Sequence, residues 1–452
     1  MHISTRVLPI CLLSLAFGLP VANSAHAQQE STAADTTEAQ PQEESASGDT
    51  TAVQPGVQGA PNPLQDNVRL VVGQDLIDES FPSSIPIPGT DVRFKIGGYA
   101  KLDYIQDFDP IGSRYEFESA TIPVEGTPEA ELGGRTTLHA KETRFNFDVR
   151  TVVTNEHYGW TFPLRVFMEW DFFEDNPDLF RQPRLRQAFG VVGRFLAGQT
   201  WSINADLEAL PGNIDFGGGD GVYGDRVAQI RWQDKLGERL RWTVGVEEPK
   251  SQIANPFDLE GSSRQTLPNF AGALRWTSAG GTHLQVGADL FQLRWQGGET
   301  GPDATAMGFG VNLTGRILLD SNNTNTILFG TSTGLGSSHR VLLLEFEPND
   351  AVVTADDGLD VTSHWQGYAG FSHYWNESFN STVSLYYARL NNSEFQSGDN
   401  IHDGGTFHIN LIWFPYKYVS TGIEYMRGLR RNKDGAEGTA NRVQLMAKFK
   451  IP

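Results

Sequence analysis

Arginine recurs at alternate positions in several segments of the chain, with apolar residues between. Arg184 and Arg186 lie two residues apart, and Arg239 and Arg241 repeat that spacing. Guanidinium groups bind carboxylate oxygens through paired hydrogen bonds, so a face that carries a row of them suits small anions. The candidate residues for such a basic face are Arg144, Arg150, Arg165, Arg184, Arg186, Arg231, Arg239, Arg241 and Arg275.

The segment Thr200–Gly224 has the opposite charge, because it contains four carboxylates and neither lysine nor arginine. The four acids are Asp206, Glu208, Asp215 and Asp220. We expect this segment to fold inward and to face the arginines, since opposed charges across a narrow passage set which ions pass. The alternative is a plain exposed connection, with the arginines as scattered solvated charges.

Signals for catalysis and metal binding are weak. Gly330-Thr331-Ser332-Thr333-Gly334 matches the G-x-S-x-G pattern, but it leads into a glycine-rich segment and not into the helix that a nucleophile elbow requires. The ten histidines show no paired ligand spacing, and Cys11 is the only cysteine. We therefore expect no catalytic residues, no metal site and no cofactor.

The arginines belong to segments in which apolar and polar residues alternate. Leu240, Trp242 and Val244 alternate with polar residues around Arg241, and Val443–Ile451 follows the same rule. A period of two predicts strands with one apolar and one polar face. Sixteen strands are predicted: 92–106, 140–153, 158–173, 182–192, 193–200, 225–233, 238–249, 268–278, 281–296, 304–319, 324–333, 360–374, 377–390, 403–415, 418–430 and 440–451.

The connections between these strands are alternately short and mostly long, and both ends of the strand series fall on the short-turn side. The polar faces hold too many arginines for a packed interior, and 39% hydrophobic residues is little for a large apolar core. These features predict an all-β fold, a transmembrane antiparallel β-barrel of about sixteen strands with short periplasmic turns and long extracellular loops. A soluble secreted all-β protein is the alternative.

The N-terminal region divides into three parts before the barrel at 92–452. Residues 1–27 have the basic, apolar and A-x-A parts of a signal peptide, with cleavage expected before Gln28. Residues 28–66 are acidic, proline-containing and without aromatics, so we expect a disordered periplasmic tail. Residues 67–91 form a connecting segment. The net charge of −20, without any basic block, makes a nucleic-acid partner improbable.

Several short motifs resemble those of DcaP-like trimeric porins. They are Phe94–Tyr99, Ile122–Val124, Thr143–Phe145, Glu169–Phe173, Arg184–Gly190 and Ala197–Ser202. The resemblance covers roughly 92–452 and implies a homotrimeric outer-membrane channel for small hydrophilic solutes, favouring small anions such as dicarboxylates. Family members often carry a periplasmic coiled coil where this chain has its acidic tail.

Two further expectations concern the outside of the barrel. The acidic segments 107–139 and 345–360 are expected to be exposed loops, solvated or binding divalent cations shared with the phosphates of outer-membrane lipid and lipopolysaccharide. The rival function is a surface-binding barrel, an adhesin or receptor, whose long loops bind while its lumen is closed.

Overall fold

The computed structural model of the chain describes residues 81, 83–173, 182–356 and 358–451. Within these residues, sixteen long antiparallel strands form the barrel that the alternating pattern predicts. They are β1 (Arg93–Asp107), β2 (Arg144–Asn155), β3 (Trp160–Asp171), β4 (Arg184–Val192), β5 (Phe195–Trp201), β6 (Arg226–Leu236), β7 (Leu240–Glu247), β8 (Asn269–Thr277), β9 (His283–Gln296), β10 (Ala304–Leu318), β11 (Asn325–Leu335), β12 (Ser363–Asn376), β13 (Phe379–Asn391), β14 (Ile401–Tyr416), β15 (Val419–Asn432) and β16 (Glu437–Lys450). The predicted signal peptide and acidic tail lie outside the described residues.

The sheet closes on itself through its first and last strands. β1 pairs with β16 from Tyr99 opposite Lys450 to Asp107 opposite Arg442. The lower half of β1 pairs with β2, and its upper half pairs with the short strand Thr136–His139. Closure leaves neither edge of the wall unpaired, which is the condition for a sheet in hydrocarbon.

The two faces of the wall differ in polarity, and the apolar face is the outer one. Along β10 the exposed side chains of Met307, Phe309 and Leu313 alternate with Asn312 and Thr314, which are 2% and 4% exposed. A soluble sandwich would bury the apolar set instead. The alternation therefore fits an outer wall that contacts lipid and an inner wall that holds polar groups.

Exposed aromatic residues gather at the end of the barrel that has the short turns. Tyr158 stacks on Trp160 there, and Trp375 and Tyr416 are exposed beside neighbouring turns. Aromatic girdles of this kind mark the boundary between hydrocarbon and water.

No helix in the described part of the chain is long and apolar enough to cross a membrane.

Long connections at the other end carry most of the irregular structure. Four of them are used below: L1 (108–143), L3 (202–225), L6 (336–362) and L7 (392–400). L6 contains the short strand Ala351–Thr354, which forms a small three-stranded sheet with Gly358–Val361 and with Ile253–Ala254 of the 248–268 connection.

The expectation that the acidic segments of L1 and L6 are simply exposed is wrong for much of their length. Phe117 and Ile122 of L1 are buried, as are Ala351 and Val352 of L6. Asp350 is fully buried as well. The physical reason is that both loops carry apolar residues, whose burial inside the barrel outweighs the solvation of the acids beside them.

Candidate functional site

L3 folds into the barrel, and its first anchor is on β8, β9 and β10. Asp206 of L3 accepts hydrogen bonds from Arg275 and from Thr314, whose Oγ1 is 2.8 Å away. The Nε2 of His283 lies 2.9 Å from the same carboxylate. Burial alone would raise the pKa of Asp206, but the Arg275 guanidinium and His283 hold it below its usual range.

The middle of L3 is anchored on β13, β14 and β15. The amide of Ile214 donates to a carboxylate oxygen of Glu424 at 2.5 Å, and Nδ1 of His408 lies 2.9 Å from the other oxygen. Asn213 bonds the hydroxyls of Ser384 and Tyr386 at 3.0 and 3.1 Å. L3 therefore lies against the wall formed by the C-terminal half of the chain.

L1 covers the far end of L3. The amide of Phe117 donates to Asp215 at 3.1 Å, and Oγ of Ser119 donates to Asp220 at 2.7 Å. Burial raises the pKa of Asp220 to about 6, against the lowering effect of the hydrogen bond from Ser119. Two of the four predicted acids thus hold L1 and L3 together.

L6 packs against the C-terminal end of L3. Val341 of L6 forms a β-bridge with Tyr223, and Arg340 donates to Glu247 at 2.7 Å and to Asp225 at 3.2 Å. Nδ1 of His339 lies 2.8 Å from Asp350, within L6 itself. These contacts place three loops inside the barrel.

The wall opposite the anchored side of L3 carries a cluster of arginines, here called the basic wall. Arg144 contacts Glu169 at 3.1 Å, and Arg186 contacts Glu169 at 3.3 Å and Asp171 at 2.5 Å. Arg184 contacts Asp171 at 2.9 Å. Among the described residues, three guanidinium groups thus share two carboxylates.

L3 meets the basic wall through an aromatic residue and not through an acid. Phe216 of L3 stacks on Phe173, with ring centroids 3.6 Å apart. The guanidinium carbons of Arg184 and Arg186 lie 5.7 and 5.8 Å from the centroid of Phe216. Cations at this distance from an aromatic face are attracted by its quadrupole.

The remaining predicted arginines are distributed along the barrel. Arg150 and Arg165 share Asp148, at 3.0 and 2.9 Å. Arg231, Arg241 and Arg275 line a cavity of about 50 Å³ together with Glu208, whose carboxylate lies 3.4 Å from Arg275. Arg239 differs from expectation, since it is exposed in the turn between β6 and β7 and not on a strand face. The prediction assumed that the strand alternation extends back from Arg241 to Arg239, but the turn ends that alternation.

Several inner-wall residues were not among the predicted site residues. Arg226 stacks over Trp201 at 5.3 Å from the ring centroid, and Lys448 lies 3.8 Å from that of Tyr99. Lys101 is buried in a pair with Asp103 at 3.1 Å. Each occupies an alternate strand position, so the period of two was the signal that could have found them.

The structure gives the G-x-S-x-G match no catalytic geometry. Ser332 lies inside β11, paired with Asn312 on one side and Gln366 on the other, and is 3% exposed. Among residues 81, 83–173, 182–356 and 358–451, no three His, Cys, Asp or Glu side chains are grouped so as to hold a metal ion.

Comparison with known proteins identifies the family of the chain. The family model described as DcaP outer membrane protein matches residues 85–451. No curated protein sequence gives a significant match. Among solved structures, the outer membrane channel DcaP of Acinetobacter baumannii superposes with a TM-score of 0.70 at 19% identity, over 81% of this chain and 99% of that one.

Two further solved structures give lower TM-scores. The anion-selective porin from Comamonas acidovorans gives a TM-score of 0.49 at 10% identity, over 80% of this chain and all of that one. Outer-membrane expressed OmpT of Vibrio cholerae gives 0.47 at 12% identity, over 81% and 99%. The family match spans the whole barrel, and on that ground this chain belongs to the DcaP outer membrane protein family and resides in the bacterial outer membrane.

Proposed function

We propose that the protein is a passive diffusion channel for small hydrophilic solutes that favours small anions, above all dicarboxylates. Family membership and the likeness to a structure named as an outer membrane channel support the channel itself. The anion preference rests on the inner surface of the barrel described above.

The observation that carries the anion preference is the excess of guanidinium groups on the basic wall. Among the described residues, three guanidinium groups, those of Arg144, Arg184 and Arg186, share the two carboxylates of Glu169 and Asp171. Two acids of L3 are bonded elsewhere, Asp206 to Arg275 and Asp220 to the hydroxyl of Ser119. Selectivity is set where the passage is narrowest, since screening at about 8 Å removes the effect of distant loop charges.

The neighbouring arginines of β4 support a carboxylate-bearing solute. Arg184 and Arg186 are two residues apart on one strand, which separates their Cα atoms by roughly 7 Å on the same face. Arg184, whose side chain is 24% exposed, is the guanidinium group that a passing carboxylate can reach, and the buried Arg186 adds its positive charge close by.

Assembly and surroundings form part of the same proposal. We propose a homotrimer whose outer wall contacts outer-membrane lipid and lipopolysaccharide. Residues 1–27 act as a signal peptide, 28–66 as a periplasmic tail and 67–91 as its connection to the barrel. A chain that begins at Asn67 behind a foreign signal should still form heat-resistant trimers, and its failure to do so would show the tail to be structural.

A surface-binding barrel with a closed lumen is the second candidate, and one observation favours it. L3 and L6 join the inner wall in a single apolar cluster that includes Leu207, Tyr223, Leu343 and Tyr386. A plug of this kind would block solutes if it filled the whole cross-section. Single-channel recording separates the candidates, since stable ohmic steps support the channel and silence supports the receptor.

Reversal potentials under a salt gradient test the anion preference. Wild-type channels should favour chloride over potassium, and Arg184→Ala with Arg186→Ala should shift the reversal potential toward cation preference. The matched control is Arg194→Ala with Arg239→Ala, because both arginines are exposed in periplasmic turns. Clear cation preference in wild type, unchanged by the first pair, would refute the proposal.

A further inference from the structure

A cavity of about 870 Å³ lies at the extracellular end of the barrel, between L1 and the ends of β1 and β15. Glu347 of L6 and Asp399 of L7 contribute to its lining. Ile111 and Ile122 line it too, and both belong to the buried apolar cluster around Phe117. A partly apolar cavity of this volume matches those that hold small organic molecules.

The two guanidinium groups of the cavity are committed to protein acceptors. Arg135 donates to Asp107 at 3.1 Å and to the carbonyl of Ser113 at 2.6 Å. Arg430 donates to the carbonyl of Ala120 and lies 3.3 Å from Glu347. Each guanidinium group is therefore paired with a carboxylate of the same cavity, and Asp107 also accepts a hydrogen bond from Arg442.

Three other carboxylates of the cavity differ from Asp107 and Glu347 in having no ion-pair partner among the described residues. Asp109 accepts one hydrogen bond, from Asn441 at 2.6 Å, while Glu129 and Asp399 are exposed. Within the described part of the chain, none of these three acids forms an ion pair. The charge presented to a solute in the cavity is consequently negative, although the basic wall deeper in the barrel is positive.

The geometry points to a binding site for amphipathic organic cations in this cavity. In this site the carboxylates of Asp109, Glu129 and Asp399 would attract the ammonium group, and Ile122 and Leu132 would contact the apolar body, since all five residues line the cavity. Coulomb attraction by three carboxylates supplies one part of the recognition, and burial of apolar area the other. The site does not depend on the proposed anion preference, because it lies outside the basic wall and uses different residues.

A single engineered thiol tests the charge. Leu132 lines the cavity and is 62% exposed. Replacing its apolar side chain breaks none of the ion pairs or hydrogen bonds described above. Since Cys11 falls in the predicted signal peptide, the L132C mature protein carries one thiol. Its modification rate is measured with a trimethylammonium-ethyl and a sulfonato-ethyl methanethiosulfonate. The matched control is L267C, another exposed leucine in a connection outside the cavity.

The cationic-to-anionic rate ratio should be about tenfold higher at L132C than at L267C, because three carboxylates line the same cavity as Leu132 and the screening length is about 8 Å. Asp109→Asn, Glu129→Gln and Asp399→Asn together should bring the L132C ratio to the control value. Benzyltrimethylammonium should protect the L132C thiol at concentrations where tetramethylammonium does not. Equal ratios at the two thiols would overturn the site, and equal protection by both ammonium ions would overturn its amphipathic character.

Discussion

The ring of Phe216 stacks on the ring of Phe173 at a centroid distance of 3.6 Å, with the two planes 6° apart. Phe216 belongs to L3, whereas Phe173 lies two residues beyond the end of β3, and its amide donates to Asp171 at 3.0 Å. This stack is where L3, after being anchored on the opposite wall, reaches the basic wall. The position of L3 therefore depends on contacts with both walls.

Replacing Phe216 with alanine should increase single-channel conductance. The change removes an aromatic stack worth about 0.5–1.5 kcal/mol beyond its buried area, and it frees space beside Arg184 and Arg186. Planar-bilayer recording at fixed salt measures the effect.

The control for Phe216→Ala is Phe395→Ala, because Phe395 lies in L7 and contacts Phe257 at the outer surface. Its conductance should stay at the wild-type value. An unchanged conductance in Phe216→Ala would mean that the stack does not hold L3 in the passage.

The contact between L1 and L3 should be stronger at mildly acidic pH than at neutral pH. Burial raises the pKa of Asp220 to about 6, so the folded state binds this proton more tightly than the unfolded chain does. A raised carboxyl pKa means that folding gains stability as the pH falls through 6 and loses it as the pH rises. The heat resistance of the trimer at pH 5 and at pH 7.5 measures this difference.

Asp220→Asn should reduce the pH dependence, since asparagine keeps an oxygen for Ser119 but carries no proton to release. Glu345 of L6 contributes with the same sign, because burial raises its pKa to about 7 against the influence of Lys250. The comparison to make is therefore between the pH-dependent change in heat resistance of the variant and that of the wild type. Asp434→Asn, at an exposed acid, serves as the control. An identical pH profile in Asp220→Asn would contradict the assignment.

The barrel strands could be predicted from the sequence because the period of two is a local signal. The tenth strand, predicted at 304–319, is observed at Ala304–Leu318, and similar agreement holds along the wall. Glu169 and Asp171, which balance the arginines, lie in the third predicted strand. Their role could have been inferred from their alternate positions on the face that Arg165 shares.

The interior arrangement of the loops could not be predicted in the same way. Ser119 and Asp220 are 101 residues apart, and their contact requires two loops to fold into one barrel. L1 and L6 have no periodic pattern, so their acids suggested exposure while Phe117 and Val341 drive burial. The stacking of Phe216 on Phe173 likewise depends on the path of L3, which no local rule specifies.

The orientation of β16 can be tested by cysteine labelling. Leu445 is 42% exposed on the outer wall, and Gln444 is 1% exposed and donates to Asp103 at 2.9 Å inside the barrel. A membrane-impermeant thiol reagent should therefore leave Leu445→Cys unmodified in lipid, because the surrounding acyl chains exclude it. Ala279→Cys, in a periplasmic turn, is the positive control for access from the aqueous side. Ready labelling of Leu445→Cys would reverse the phase assigned to the strand.

Arg186 should be the most costly arginine of the basic wall to remove. Its side chain is fully buried between Glu169 and Asp171, so Arg186→Met removes two buried ion pairs at once from a site without water contact. Breaking a buried pair costs about 3–5 kcal/mol, and we expect a loss of folding free energy in that range, measured by urea unfolding in lipid vesicles. Adding Glu169→Gln and Asp171→Asn should lower the stability further, since Arg144 and Arg184 then lose the carboxylates that they contact. Arg431→Met, which breaks the exposed pair with Glu437 at 2.7 Å, should change the unfolding free energy little. Equal effects of Arg186→Met and Arg431→Met would show that the basic wall is solvated and not held by its ion pairs.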